Sequence, residues 1–228
     1  MTKKRILILG AGTYQKRMIE YAVSSGYEVH VASIPGPYPG IEIADYFHPV
    51  DTTDAEGILQ LATGLKVDGI LTTGSDVCVP SIGHVVDKLG LPGTGYDASF
   101  RSMDKRKMKQ CFLEHNVPSP RYGVVSRKKD ATQAVTRIGF PCAIKAPDSS
   151  GSRGVSKADD SSMVMSAVED AFEVSRCGEI VIESWIEGEE FGAQAIVVGS
   201  ELRCIMLHSD TVTDPPRRIP IGHGAPHP

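Results

Sequence analysis

The chain has 228 residues, 41% apolar and 23% charged, with a net charge of −4. That balance is ordinary for a globular protein of one domain or two small ones, and it carries no general attraction for nucleic acid or anionic lipid. No apolar run approaches the ~20 residues of a membrane helix, and the run at residues 6–9 stops at Gly10, too short for a signal sequence.

Five cysteines, Cys78, Cys111, Cys142, Cys177 and Cys204, are widely spaced and form no Cys-x-x-Cys pair. Reduced thiols in a cytoplasm fit that pattern better than a disulfide framework or a zinc site.

Residues 1–96 alternate strand and helix patterns. Residues 5–9 form a short apolar run ending at Gly10. Residues 14–25 place Met18, Ile19, Ala22 and Val23 at the spacing of a helix face, and Gly26 ends them. Residues 28–32 alternate as a strand does. A helix is predicted over 54–65 with Asp54 as N-cap. A strand over 69–72 and a helix over 77–89, closed by Gly90, follow. Such alternation implies an α/β fold, a parallel sheet with helices on both faces.

The pattern changes at residues 91–95. A charged helix is predicted over 103–115, then a strand near 122–125 after Pro118 and Pro120. A short helix over 131–138, a strand over 140–146, a loop of small residues, a helix over 161–175 and a strand over 180–182 complete the middle of the chain. Residues 193–198 and 202–207 flank Gly199-Ser200, a two-residue hairpin signal. The proline-rich residues 209–228 have little to bury, and no element is predicted there. The hairpin's outer strand is then an open edge, and the chain is expected to stop inside a domain.

Three segments have chemical character. Gly10-Ala-Gly12 follows the first strand, but Gln15 stands where a dinucleotide fingerprint has its third glycine. The second strand ends in Ala32-Ser33-Ile34, without the acidic residue that would hold a ribose. A tight strand-to-helix turn is the better reading, with an NAD-dependent enzyme as the weaker alternative.

Lys145 sits in the otherwise apolar strand Cys142-Ala-Ile-Lys-Ala146, where an ammonium needs a partner or an anion. Residues 149–154 are mostly small, so a backbone there can fold over an oxyanion. The loop is neither a Walker A motif nor a nucleophile elbow. A solvent loop beside a snorkelling lysine is the competing reading. Finally, Glu183, Glu187, Glu189 and Glu190 cluster around Trp185, the single tryptophan. A core aromatic beside a solvated turn is the alternative there. His223 and His227 have metal-ligand spacing, but a Pro/Gly tail is not a helix.

In this order and spacing, the segments from Asp104 on resemble the ATP-grasp superfamily. Asp104-Lys105 opening a helix before Val117-Pro118, Ala143-Ile-Lys145 with its loop, and Glu183-Ser-Trp-Ile186 followed by Gly188-Glu-Glu-Phe191 carry the resemblance. Residues 211–216 and 222–223 resemble its carbamoyl-phosphate-synthase-like members. The resemblance implies a Rossmann-like first domain over 1–96, an ATP-grasp N-terminal lobe over 97–185 and the start of an incomplete C-terminal α+β lobe over 186–228.

It also implies roles. Lys105 and Lys145 would contact nucleotide phosphates, and Ser150, Gly151, Ser152 and Gly154 would cover them. Glu183, the Ser184 carbonyl and the Ile186 N–H would read adenine, with Trp185 in the same segment, and Glu190 would bind the ribose. The implied activity is a ligase that uses ATP to activate a small carboxylate as an acyl phosphate, captured by an amine. The Mg²⁺ ligands are expected outside this chain. A homo-oligomer, or a partner chain supplying the missing half, is the implied partner. A non-catalytic nucleotide-binding module is the alternative.

Overall fold

The computed structural model describes residues 2–213 and 220–225. The chain forms two compact units, residues 1–114 and 115–228. Among the described residues no helix is long and apolar enough to cross a membrane.

In the first unit β1 (Arg5–Leu9), α1 (Thr13–Ser24), β2 (Glu28–Ala32), β3 (Tyr46–His48), α2 (Ala55–Leu65) and β4 (Gly69–Leu71) lead to α3 (Val79–Leu89). The sheet order is β3-β2-β1-β4 and every pairing is parallel. Side chains alternate across β1, so one strand feeds two cores. Leu7 and Leu9 pack with Ile58 and Ala62 of α2 and Val85 of α3, whereas Ile8 packs with Ile19 and Ala22 of α1. The predicted parallel sheet with helices on both faces is what forms. Asp54 caps α2, accepting the Gly57 N–H at 3.0 Å.

β3 carries no sequence signal of its own, and polar bonds hold it at the edge. The buried His30 places Nδ1 3.0 Å from His48 Nε2 and Nε2 3.1 Å from Glu28 Oε1, and Arg5 Nε donates to the same oxygen at 2.7 Å. Burial, and then the charge of His30, push the His48 imidazole below its usual range.

The helix predicted over 103–115 forms as α5 (Lys105–Glu114), and a further helix that was not predicted, α4 (Tyr96–Met103), precedes it. Asp104 between them is extended. Its carboxylate accepts the N–H groups of Arg106 at 2.9 Å and Lys107 at 3.4 Å, which makes it the cap of α5. Burial would raise this carboxyl, but the Arg106 guanidinium and the capped N–H groups outweigh burial and hold it below the usual carboxylate range. A group whose folded value is depressed stabilises the fold above its unfolded value, and that contribution disappears as pH falls through the folded value. Asp104→Ala is therefore expected to cost about 1–2 kcal/mol at neutral pH. In urea denaturation the gap to wild type should close below roughly pH 4. A gap that persists at pH 2 would contradict this account.

The second unit is built on an antiparallel sheet. Its elements are β5 (Tyr122–Val125), α6 (Ala131–Ile138), β6 (Cys142–Lys145), β7 (Val155–Ala158), α7 (Ser161–Val174) and β8 (Ile180–Ser184), with strand order β5-β8-β6-β7. Cys142, Ile144, Ile180 and Ile182 face Val135 and Ile138 of α6 and Val164 and Val168 of α7.

A second sheet, β9 (Phe191–Val198), β10 (Glu201–Val212) and β11 (Pro220–Gly224), has the order β11-β10-β9. Gly199 and Ser200 both have positive φ, the tight two-residue turn expected there. β11 overturns the expectation of no element after residue 209. It pairs Ser209 with Gly224 and Thr211 with Gly222, continuing the sheet from Ser209, where the pairing with β9 ends. Residues 214–219 of the tail, and His227, lie outside the described residues.

Candidate functional site

Strand period and register assemble this site. In the antiparallel pairing of β6 with β8, Ala143 faces Glu183 and Lys145 faces Val181. Lys145 and Glu183 are therefore diagonal neighbours on the face turned away from α6 and α7. Lys145 Nζ forms an ion pair with Glu183 Oε1. Glu183 is only 5% exposed. The partner that Lys145 needs in its apolar strand is thus a buried carboxylate two strand positions away. The lysine does not snorkel into solvent, and its stem and charge lie along the sheet.

Lys145 leads directly into the loop of small residues. Gly151, Ser152 and Gly154 all have positive φ, between 58° and 67°. Left-handed residues in close succession are the backbone geometry that lets neighbouring N–H groups converge on an anion. The loop is held at three points. Its base closes through the Ala146 N–H, which donates to the Gly154 carbonyl at 2.8 Å. Its crown folds on itself, with Ser149 Oγ donating to the Arg153 carbonyl at 2.7 Å and Arg153 Nε donating to the Ser150 carbonyl at 3.2 Å. The Asp148 carboxylate accepts the Arg176 N–H at 3.1 Å and the Cys177 N–H at 2.8 Å, just beyond α7. Nothing in the sequence marked Asp148, because its partners lie 28 and 29 residues away.

At the other end of β8 the chain turns. The Ser184 N–H donates to the Arg121 carbonyl at 2.9 Å and the Trp185 N–H to the Pro141 carbonyl at 3.1 Å. Trp185 is half-buried, not a core aromatic, and Lys157 Nζ stands 5.0 Å from its ring centroid. Ile186, Glu187, Glu189 and Glu190 are exposed. Lys145, Glu183, Ser184, Trp185 and the loop residues Ser150, Gly151, Ser152 and Gly154 all belong to the second unit. Lys105 belongs to the first, where it opens α5.

The strand-to-helix turn at Gly10 and Gly12 is occupied by its own side chain. Gln15 is buried; its Oε1 accepts the Gly12 N–H at 3.0 Å and its Nε2 donates to the Thr73 carbonyl. A Cβ on Gly10 would meet Gln15 Cδ at 3.1 Å. The N–H that a dinucleotide phosphate would need is already bonded, which argues against the NAD alternative and for a structural turn.

Residues 103–212 match the family model described as phosphoribosylglycinamide synthetase, ATP-grasp (A) domain. The D-alanine–D-alanine ligase B of Pseudomonas putida (strain KT2440) is 31% identical over 154 residues, spanning 62% of this chain and 48% of that protein. The crystal structure of phosphoribosylglycinamide synthetase from Anaerococcus prevotii superposes with a TM-score of 0.75 at 28% identity, covering 97% of this chain and 56% of that one. The ADP complex of N5-carboxyaminoimidazole synthetase from Staphylococcus aureus shares the fold, with a TM-score of 0.77 at 20% identity, covering 93% and 56%. The chain spans about half the length of the curated relatives it matches.

Proposed function

We propose that this chain, which belongs to the ATP-grasp superfamily, is the ATP-binding portion of a ligase that joins a carboxylate to an amine. The observation that carries the reading is the Lys145–Glu183 pair on the sheet face that opens into the left-handed loop. One end of that pair is a cation suited to phosphates and the other an acceptor suited to a base amino group. Lys145 neutralises charge on the nucleotide phosphates, and the loop of Ser150, Gly151, Ser152 and Gly154 closes over them. Glu183 and the Ser184 carbonyl accept from the adenine amino group, and the Ile186 N–H donates to the ring. The Glu190 carboxylate accepts the ribose hydroxyls.

In the proposed reaction a carboxylate oxygen of the substrate attacks the γ-phosphorus, and ADP leaves. The amine nitrogen then attacks the acyl carbon, phosphate leaves with the bonding pair, and the nitrogen loses a proton. Phosphoryl transfer depends chiefly on positioning and charge neutralisation, and the residues named supply both. Among the described residues no group of three or more His, Cys, Asp or Glu stands together as a metal site. The part assigned to this chain is that of Lys145, the loop and the turn.

The test is thermal denaturation of the 228-residue chain with ATP and, separately, with NAD. ATP at ~100 times its Kd should stabilise the fold by about 2.7 kcal/mol, and NAD should not. Stabilisation by NAD that ATP does not displace would overturn the proposal.

A further inference from the structure

One row of side chains runs across three strands of the second unit. Lys157 on β7 pairs in register with Ala143 on β6, and Ala143 pairs with Glu183 on β8. The row lies on the face away from α6 and α7. Trp185, two residues past Glu183, carries that face beyond the end of β8. β7 and β8 are not neighbours in the sheet. The residue between them in the row is an alanine, so a long side chain from β7 can cross β6. Lys157 does so, with its ammonium 5.0 Å from the Trp185 ring centroid and 2.8 Å from Asp159 Oδ1.

Ile186 is 65% exposed and residues 187–190 are exposed. The Ser184 and Trp185 N–H groups are committed to Arg121 and Pro141. The bond from the Trp185 N–H to Pro141 fixes the plane that aims the Ser184 carbonyl, so the seating of the indole bears on the next plane, the one that aims the Ile186 N–H. A cation over the face of tryptophan is the strongest form of that contact.

We propose that Lys157 is a positioning residue for base recognition, acting through Trp185 to hold the Ile186 N–H toward the base ring. The proposal rests on the nucleotide reading of this site given above.

The experiment compares ADP with inosine diphosphate on the full chain by calorimetry. The two nucleotides carry the same phosphates and ribose, so any contact of Lys157 with phosphate cancels in the ratio of their affinities. Glu183 and the Ser184 carbonyl meet an amino group in ADP and a keto oxygen in inosine diphosphate, and the Ile186 N–H meets a ring nitrogen that accepts in ADP but carries a proton in inosine diphosphate, so wild type should prefer ADP. Lys157→Met should lower that preference about threefold to fivefold, the scale of one exposed cation–π contact. Lys157→Arg, which retains a cation able to stack on indole, should keep it. Lys145→Ala should weaken both nucleotides together. An unchanged preference in Lys157→Met, or a parallel loss of both nucleotides, would overturn the proposal. A wild-type chain that binds neither nucleotide, or both equally, would remove the nucleotide reading itself, and the role of Lys157 with it.

Discussion

Lys145→Ala is expected to abolish the stabilisation that ATP gives the wild-type chain and to weaken the unliganded fold as well. The two losses have different origins. The first is the missing ammonium at the phosphates: about 2.7 kcal/mol of ligand stabilisation at ~100 times the wild-type Kd should vanish at the same ATP concentration. The second is internal. The Glu183 side chain is 6% exposed and its counter-ion is removed. Deleting one member of a fully buried pair costs about 3–5 kcal/mol. The Lys145 side chain is 26% exposed, so solvent screening lowers the expected cost to roughly 2 kcal/mol. The double variant Lys145→Ala with Glu183→Gln separates the two. Neutralising the carboxylate should recover most of the intrinsic stability and none of the response to ATP. Urea denaturation with and without ATP measures both quantities. A single variant still stabilised by ATP would sink the site assignment.

The fold was legible wherever one periodicity ruled a whole segment. β1, β2, α2, α6 and the Gly199-Ser200 hairpin were readable because apolar spacing and turn residues pointed the same way. What the sequence hid was held by distant partners. β3 is three residues at a sheet edge, fixed by His30 and Glu28 from a strand earlier in the chain. β7 reads Val-Ser-Lys-Ala, too short for a pattern, and exists because β6 presents a ladder to it. β11 begins at a proline that reads as a breaker and pairs only because β10 runs on to Val212. The start of α5 at Asp104 was legible, but α4 was hidden because the residue that its sequence Tyr-Asp-Ala-Ser-Phe-Arg-Ser-Met buries is a serine, Ser99.

The site shows the same division. Lys145 stood out as a charge in an apolar strand, and Glu183 as one carboxylate among four. That they pair depends on the register of β6 against β8, which no local signal encodes. Trp185 attracted a core reading because it is the single tryptophan, yet its ring lies beside a lysine from a strand that the sequence did not reveal. Gln15 behaved as its position required: a side chain where close approach needs glycine fills the turn.

Gly154→Ala should destabilise the chain by about 2–4 kcal/mol, more than any other single-methyl addition in the loop. Gly154 has φ +63°, a conformation that costs a non-glycine residue roughly 1 kcal/mol. A Cβ there would also lie 2.9 Å from the Val174 Cβ at the end of α7 and 3.2 Å from the Ala146 Cβ. Neither neighbour is the movable end of a long side chain, so the loop or the helix end must shift, at about 1–3 kcal/mol for overpacking of this kind. Gly151 isolates the backbone share of the cost. Its φ of +67° is similar, but nothing lies within 4 Å of its Cβ position. Gly151→Ala should therefore cost about 1 kcal/mol, the conformational penalty alone. The difference in urea midpoint between the two variants measures how tightly the loop's base is clamped between β6 and α7. The same clamp sets the loop beside Lys145, because the Gly154 carbonyl accepts the Ala146 N–H one residue after that lysine. ATP affinity should accordingly fall further in Gly154→Ala than in Gly151→Ala. Equal losses of stability in the two variants would mean that α7 does not brace the loop and that its shape comes from its own turns.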